Sequence, residues 1–240
     1  MKSGRRCWLI ALALLALPVA SRAAAERLVA AFPAGLSGDE RAALERLVDD
    51  ADVGTRVEAE PFLARPDLFE YLLDHPELAA HVARTVRAAR YRIWSTADGL
   101  LLDDGWGVTG RFRVVHTSDG SRIYHARGEY RRAWLPTIHG EAVTMIEYAL
   151  HPGPDGRALV RPAVSGFVRV DSRLAAWFLQ LANRAAQRKA DREARQLMKV
   201  FARVSRALDE RPAQIWAELS RRPDVPPREL EAFGRLLNGP

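Results

Sequence analysis

Changes in the spacing of apolar residues divide the chain into its elements. After Ser37, Ala43, Leu44, Leu47 and Val48 recur at helical intervals, and Glu40 sits where a capping box needs it. Gly54 is expected to end that helix. Residues 55–62 alternate as a strand, with Val57 and Ala59 on one side. Pro66 and Pro76 each suit the first turn of a helix. The first of these helices has Leu68, Phe69, Leu72 and Leu73 as its apolar face. The second runs to about Arg87 and buries Leu78, Ala79, Val82 and Val86. From Ala89 the period becomes two. Tyr91 and Ile93 alternate with arginines, and residues 100–102 continue as a strand. Gly110, Phe112, Val114 and His116 share one side of the next. Tyr124, Ala126, Gly128 and Tyr130 then oppose His125, Arg127, Glu129 and Arg131, which read as a solvated face with cross-strand charge pairs. Asp98-Gly99 and Asp119-Gly120 are hairpin signals. Residues 134–140 read as a connection, and 141–150 and 157–170 as two more strands around a turn.

A long helix is expected after the cap Asp171 or Ser172. Leu174, Trp177, Phe178, Leu181, Ala185, Leu197, Met198, Phe201, Val204 and Leu208 hold its repeat. Pro212 starts a short helix, residues 221–227 form a proline-rich linker, and a last helix follows from Glu229. Six strands in an antiparallel meander followed by a long helix predict an α+β fold: a curved antiparallel sheet wrapped around a long C-terminal α-helix, with extra N- and C-terminal helices. Space remains between sheet and helix where facing residues are small, at Ala126, Gly128, Gly166 and Ala175 or Ala176. Tyr91, Phe112, Tyr124, Tyr130, Tyr148, Trp177, Phe178 and Leu181 are expected to line a ligand-binding cavity there.

The helix start Pro66-Asp67-Leu68-Phe69-Glu70-Tyr71-Leu72-Leu73-Asp74, the turns Asp98-Gly99, Asp119-Gly120 and Asp155-Gly156, and the Asp171-Ser172 cap carry a resemblance. Over residues 55–208 the element order resembles the START-like, helix-grip superfamily called SRPBCC, which includes the birch pollen allergen fold. That resemblance implies a deep cavity for a lipid, sterol, polyketide or other hydrophobic molecule. Many members bind or transfer such molecules, and some are cyclases or hydrolases. It also implies a membrane-touching gate between two strands, which here falls on Trp134, Leu135 and Ile138. Two readings of that segment stand: a hydrophobic lip admitting ligand at a membrane surface, or a loop folded back onto its own core.

The N-terminus changes the picture of charge. Lys2, Arg5 and Arg6 precede an apolar stretch at 8–20, and Ala23-Ala24-Ala25 follows with small residues, the pattern of a cleavable export signal. Residues 1–25 carry Lys2, Arg5, Arg6 and Arg22 and no acid, so their removal takes four charges off the net +6. What remains is weakly basic, and no stripe of basic and aromatic residues points to nucleic acid. Cys7 leaves with the signal, which rules out an intramolecular disulfide and thiol catalysis. The expected organisation is a signal peptide at 1–25, a helical segment at 26–54, the helix-grip domain at 55–210 and a helical extension at 211–240, in the periplasm or secreted.

The polar residues point to no specific chemistry. His116, His125 and His139 lack a short ligand spacing, so no metal is expected, and no nucleotide-binding or nucleophile motif implies a cofactor. Glu147 alternates with Ile146 and Tyr148 and is expected on the outer face. The basic run Arg184, Arg188, Lys189, Arg192, Arg195 and Lys199 is diluted by Asp191 and Glu193 and reads as a solvated helix face. The expected function is binding or transfer of a hydrophobic lipid-like ligand, with transient membrane contact. The alternatives are a cyclase- or hydrolase-type enzyme using Glu147 or a histidine, and an envelope protein-binding module docking through the helices after Pro212.

Overall fold

The structure is a computed structural model that describes residues 32, 35–133, 135–171 and 183–239. Ser37 caps α1 (Gly38–Asp49), its hydroxyl oxygen accepting the Glu40 backbone N–H at 3.3 Å. The helix ends at Asp49: the Asp50 N–H still makes the helical bond to the Arg46 carbonyl at 2.9 Å, and the Ala51 N–H then tightens onto the Val48 carbonyl at 3.3 Å. Gly54 therefore does not end it; it lies inside β1 (Val53–Glu58). The strand expected at 55–62 is broken, and its end belongs to β2 (Phe62–Ala64). Pro66 and Pro76 open α2 (Pro66–Asp74) and α3 (Pro76–Thr85) as their fixed φ favours. The apolar faces Leu68, Phe69, Leu72, Leu73 and Leu78, Ala79, Val82 are buried.

The meander follows as β3 (Arg92–Thr96), β4 (Gly99–Asp103), β5 (Val108–Ser118), β6 (Ser121–Arg132), β7 (Leu135–Pro152) and β8 (Ala158–Val170). The sheet is antiparallel, in the order β1-β8-β7-β6-β5-β4-β3, with β2 also on β8. Asp119-Gly120 makes the expected two-residue turn, Ser118 pairing with Ser121. The first hairpin is displaced by one residue: Thr96 pairs with Gly99, so Ala97-Asp98 turn the chain and Gly99 starts β4.

A larger correction concerns the connection expected at 134–140. Leu135 pairs with Arg132, Ile138 with Tyr130 and Gly140 with Gly128. Residues 135–140 are thus the first turn-proximal part of β7, because their backbone groups complete the β6 ladder. The gate residues Leu135 and Ile138 sit in a hairpin rather than in a free loop, and Trp134 lies outside the described residues. A second correction comes from a bulge. The β5–β6 register shifts between Val114 and His116, so Val114 faces Tyr124 whereas His116 faces Ile123 on the opposite side of the sheet.

Both faces of the sheet are covered. On the convex face Leu44, Leu47 and Val48 of α1, with Phe32, pack on Ile123, Val143, Met145 and Phe167. On the concave face α2, α3 and α4 (Asn183–Glu210) enclose the main core, α4 contributing Ala194, Met198, Phe201, Val204 and Leu208. The Thr55 hydroxyl donates to Asp191 at 2.5 Å and ties α4 to β1. The fold is therefore α+β and helix-grip, as expected. The expected start of the long helix, with Trp177, Phe178 and Leu181, lies outside the described residues. Among the described residues no helix is long and apolar enough to cross a membrane.

The C-terminal helices α5 (Pro212–Ser220) and α6 (Pro227–Asn238) join the main core through Ile215, Leu219, Phe233 and Leu237. Phe233 stacks near Tyr71 of α2, with ring centroids 6.2 Å apart, and the Tyr71 hydroxyl donates to the Glu229 carbonyl at 3.0 Å. The apolar faces that a docking element would have offered are used inside the chain.

Candidate functional site

Strand alternation sends one set of side chains from β5, β6 and β7 to the concave face, and the register aligns them in rows. Gly110, Gly128 and Gly140 form one row across the three strands. Phe112, Ala126 and Ala142 form the next, and Val114, Tyr124 and Thr144 the one after. The glycines of the first row and Ala126 and Ala142 of the second leave the sheet uncovered there. Leu72 and Leu73 of α2, Pro76 and Ala79 of α3, and Leu197 and Phe201 of α4 stand opposite, so a cavity remains between the layers. Tyr91, Ile93 and Leu102 close its β3–β4 side, and Ile146 lies at its other end. The space amounts to about 890 Å³, the part open to solvent included.

The wall is apolar with few polar groups, as ligand pockets are. The Tyr124 hydroxyl donates to the Leu73 carbonyl at 2.9 Å, and burial holds its pKa far above the ordinary phenol value. Thr144 is 6% exposed and brings a second hydroxyl to the wall. Glu141 and Arg127 touch the cavity, but they alternate with the bare positions and their charges pair on the convex side. Arg127 binds the Glu141 carboxylate, which Arg169 also contacts at 3.2 Å.

Of the expected lining residues, Tyr91, Phe112 and Tyr124 are in the wall. Tyr148 is not. Its hydroxyl donates to Glu70 at 2.9 Å and accepts from Arg122 at 3.1 Å, and its ring meets Phe69 edge-on at 5.1 Å. Burial first, then the bond to Glu70, push its pKa up to about 12. Tyr130 also falls outside the wall; it lies half-buried where the Gly107 turn meets β6, with the Arg132 guanidinium 3.4 Å from its hydroxyl. Trp177, Phe178 and Leu181 are outside the described residues. Of the expected small positions, Ala126 and Gly128 line the cavity. Gly166 does not; it is paired between Thr144 and Thr55.

Sequence reasoning missed Gly110, Gly140, Ala142, Thr144, Leu72, Leu73, Leu197 and Phe201 as wall residues. The available signal was the recurrence of Gly and Ala at alternate positions on three successive strands.

The groups considered for other chemistry face away from the cavity. Glu147 is on the convex side, as expected, bound to Arg56. His125 shares that face with Ile123, and burial lowers its pKa. His116 was turned there by the bulge, and its buried Nε2 has no hydrogen-bond partner among the described residues. His139 lies 3.8 Å from Glu129. Among the described residues no three His, Cys, Asp or Glu side chains gather as a metal site would require.

No family profile matches the chain, and no curated protein matches it. Among solved structures the chain is similar to a truncated norcoclaurine synthase from Thalictrum flavum, at 11% identity and a TM-score of 0.34. The match covers 61% of this chain and 93% of that one. At that score the likeness carries no functional weight.

Proposed function

We propose that this protein binds a hydrophobic, lipid-like small molecule in the cavity between the sheet and its covering helices, and carries it outside the cytoplasm. The observation that supports binding is the cavity itself: apolar residues from three helices and five strands surround a floor left bare by Gly110, Gly128, Gly140, Ala126 and Ala142. A filled core is the ordinary outcome of folding, since interiors pack to crystal-like density. Burying a ligand there supplies roughly 25 cal/mol per Å² of apolar area, before association costs are subtracted. The export pattern at 1–25 supports an extracytoplasmic site of action. The element order and the cavity's place beneath the long helix also support membership of the START-like superfamily. The enzyme alternative has less support, because Glu147 and the three nominated histidines sit on the convex face or at its rim.

Binding is tested with 1-anilinonaphthalene-8-sulfonate, whose fluorescence rises in apolar sites. The wild-type protein is expected to bind it saturably, and a lipid extract from bacterial envelopes to displace it. Ala142→Phe, which grows a ring from the cavity floor, should weaken binding at least about tenfold, the effect of losing roughly 1.4 kcal/mol. Equal binding by a folded Ala142→Phe variant would place the dye elsewhere and remove the support.

A further inference from the structure

The charged residues of α4 do not all stay at its surface. Glu193 is 7% exposed and Lys189 is half-buried, although both fall in a run whose sequence reads as a solvated helix face. Lys189, Glu193, Leu197 and Phe201 recur at every fourth residue and so follow one another on successive turns. Leu197 and Phe201 line the cavity. The stripe thus passes from the apolar wall to two charges. The sheet changes character at the same end. Leu102 and Gly110 pair in the cavity wall, and two residues beyond them the Asp104 N–H donates to the Val108 carbonyl at 3.1 Å. Asp104 is 1% exposed. Its Oδ1 accepts the N–H groups of Trp106 at 2.7 Å and Val108 at 3.0 Å. Its buried Oδ2 has no hydrogen-bond partner among the described residues. A buried carboxyl oxygen left bare is rare and costly.

Lys189 stands within electrostatic reach of this carboxyl, of Glu193 and Arg192 on its own helix, and of Arg132 at the end of β6. Burial lowers the lysine pKa and raises that of Asp104. Each group is pushed toward its neutral form, a free amine near a carboxylic acid. The residue type matters here. Only three of the 36 basic residues are lysines: Lys2, Lys189 and Lys199. A guanidinium would serve an ion pair at this place, but it keeps its proton and is no nucleophile, whereas a buried amine can attack a carbonyl.

We infer that Lys189, with Asp104 as its acid, forms a covalent capture site at the polar end of the cavity, where an apolar aldehyde is held as an imine. The Lys189 nitrogen bonds to the carbonyl carbon, and the carbonyl oxygen takes a proton from Asp104. The carbinolamine then loses that oxygen as water while the nitrogen lone pair forms the C=N bond. Asp104 takes back an amine proton after each donation, so amine and aldehyde become imine and water, and the acid is regenerated. The aldehyde's apolar tail lies along Leu197 and Phe201. This rests on the reading of the cavity as a hydrophobic ligand site and adds a reversible covalent bond to it.

The full chain is incubated with decanal and sodium cyanoborohydride, which reduces an imine to a stable secondary amine, and the alkylated residues are mapped by peptide mass spectrometry. Lys189 is expected to be trapped at least about tenfold faster than exposed Lys199, because the cavity holds the aldehyde beside it. Propanal, too short to use the cavity, should show a smaller preference. Asp104→Asn keeps an acceptor for the two turn N–H groups; it should slow trapping at Lys189 at least about tenfold and leave Lys199 unchanged. Lys189→Arg should abolish the fast adduct. Equal trapping at Lys189 and Lys199 would overturn the capture site, and saturable dye binding in the same protein would leave the cavity's function standing. An equal preference with propanal would overturn the link between lysine and cavity. Undiminished trapping in Asp104→Asn would overturn the acid's role. Failure of the dye to bind would overturn the binding function beneath.

Discussion

Arg122 shows how much of the core rests on one side chain. Its guanidinium grips Asp74 of α2 through two bonds, at 2.5 and 3.1 Å. It also donates to the Ser118 carbonyl at 2.5 Å, the Ser121 carbonyl at 2.9 Å and the Tyr148 hydroxyl at 3.1 Å. Tyr148 passes the chain of bonds to Glu70. One buried cation thus ties the β5–β6 turn, β7 and α2 together beside the cavity. The forked geometry is what arginine offers and lysine lacks. Arg122→Met is expected to cost about 2–4 kcal/mol in urea unfolding, because it leaves a half-buried carboxylate and two carbonyls unpaired. Arg122→Lys should recover only part of that loss. None of this was readable at the position itself. An arginine beside a hairpin turn looks like any surface arginine, and its partners Asp74 and Glu70 lie far away in sequence. The same long-range bond took Tyr148 out of the expected lining.

At the scale of elements, local signals were reliable where the chain itself supplies the physics. The Ser37 cap, the two helix-starting prolines and the Asp119-Gly120 turn act within a few residues and appear where expected. Elements whose limits depend on a partner moved. Residues 135–140 became strand because β6 was there to pair with them. The bulge at Val115 decided the cavity floor. Continued from the Ser118–Ser121 turn without it, the ladder would set Gly110 opposite Glu129, and the glycine row would not form. The C-terminal helices belong to the same class. Glu229 of α6 faces the Leu78 backbone N–H in the first turn of α3, which has no side-chain cap of its own at His75. Phe233 is fully buried beneath Tyr71. Phe233→Ala is expected to destabilise the protein by about 3–5 kcal/mol, measured by thermal or urea unfolding, since it opens a cavity where α6 meets α2.

For the whole molecule, the sheet is a wall between two cores, and α3 and the C-terminal helices clamp its concave side. His81 sits in that clamp. It is 2% exposed; its Nδ1 accepts from Arg84 at 2.8 Å and lies 3.8 Å from the Asp224 carboxylate of the α5–α6 turn. Burial first, then the charges of Arg84 and Arg222, lower its pKa to about 4 against the pull of Asp224. An unfolded histidine protonates near 6.5. Between those values the unfolded chain binds the proton and the folded chain does not, so stability falls as pH falls from about 6.5 to about 4. The loss reaches up to about 3 kcal/mol. Urea midpoints at pH 7 and pH 4.5 should show it in the wild-type protein and a smaller drop in His81→Gln. An equal drop in both would assign the acid sensitivity to other groups.

The sequence by itself determined the class of fold. Periodicity of two or of 3.6, proline and glycine punctuation and helix caps are written locally, and they specified a six-strand meander with helices before and after it. The sequence also carried the outer-face assignment of Glu147 and three of the cavity's aromatic residues, Tyr91, Phe112 and Tyr124, through simple alternation. Tertiary structure alone decided where space was left. A cavity is the difference between layers, and it depends on cross-strand register, on a bulge and on which helix stands opposite. Gly110, Gly128 and Gly140 are unremarkable as separate letters. They become a floor only when three strands bring them into one row, a long-range arrangement set by hydrogen-bond pairing that no local pattern encodes.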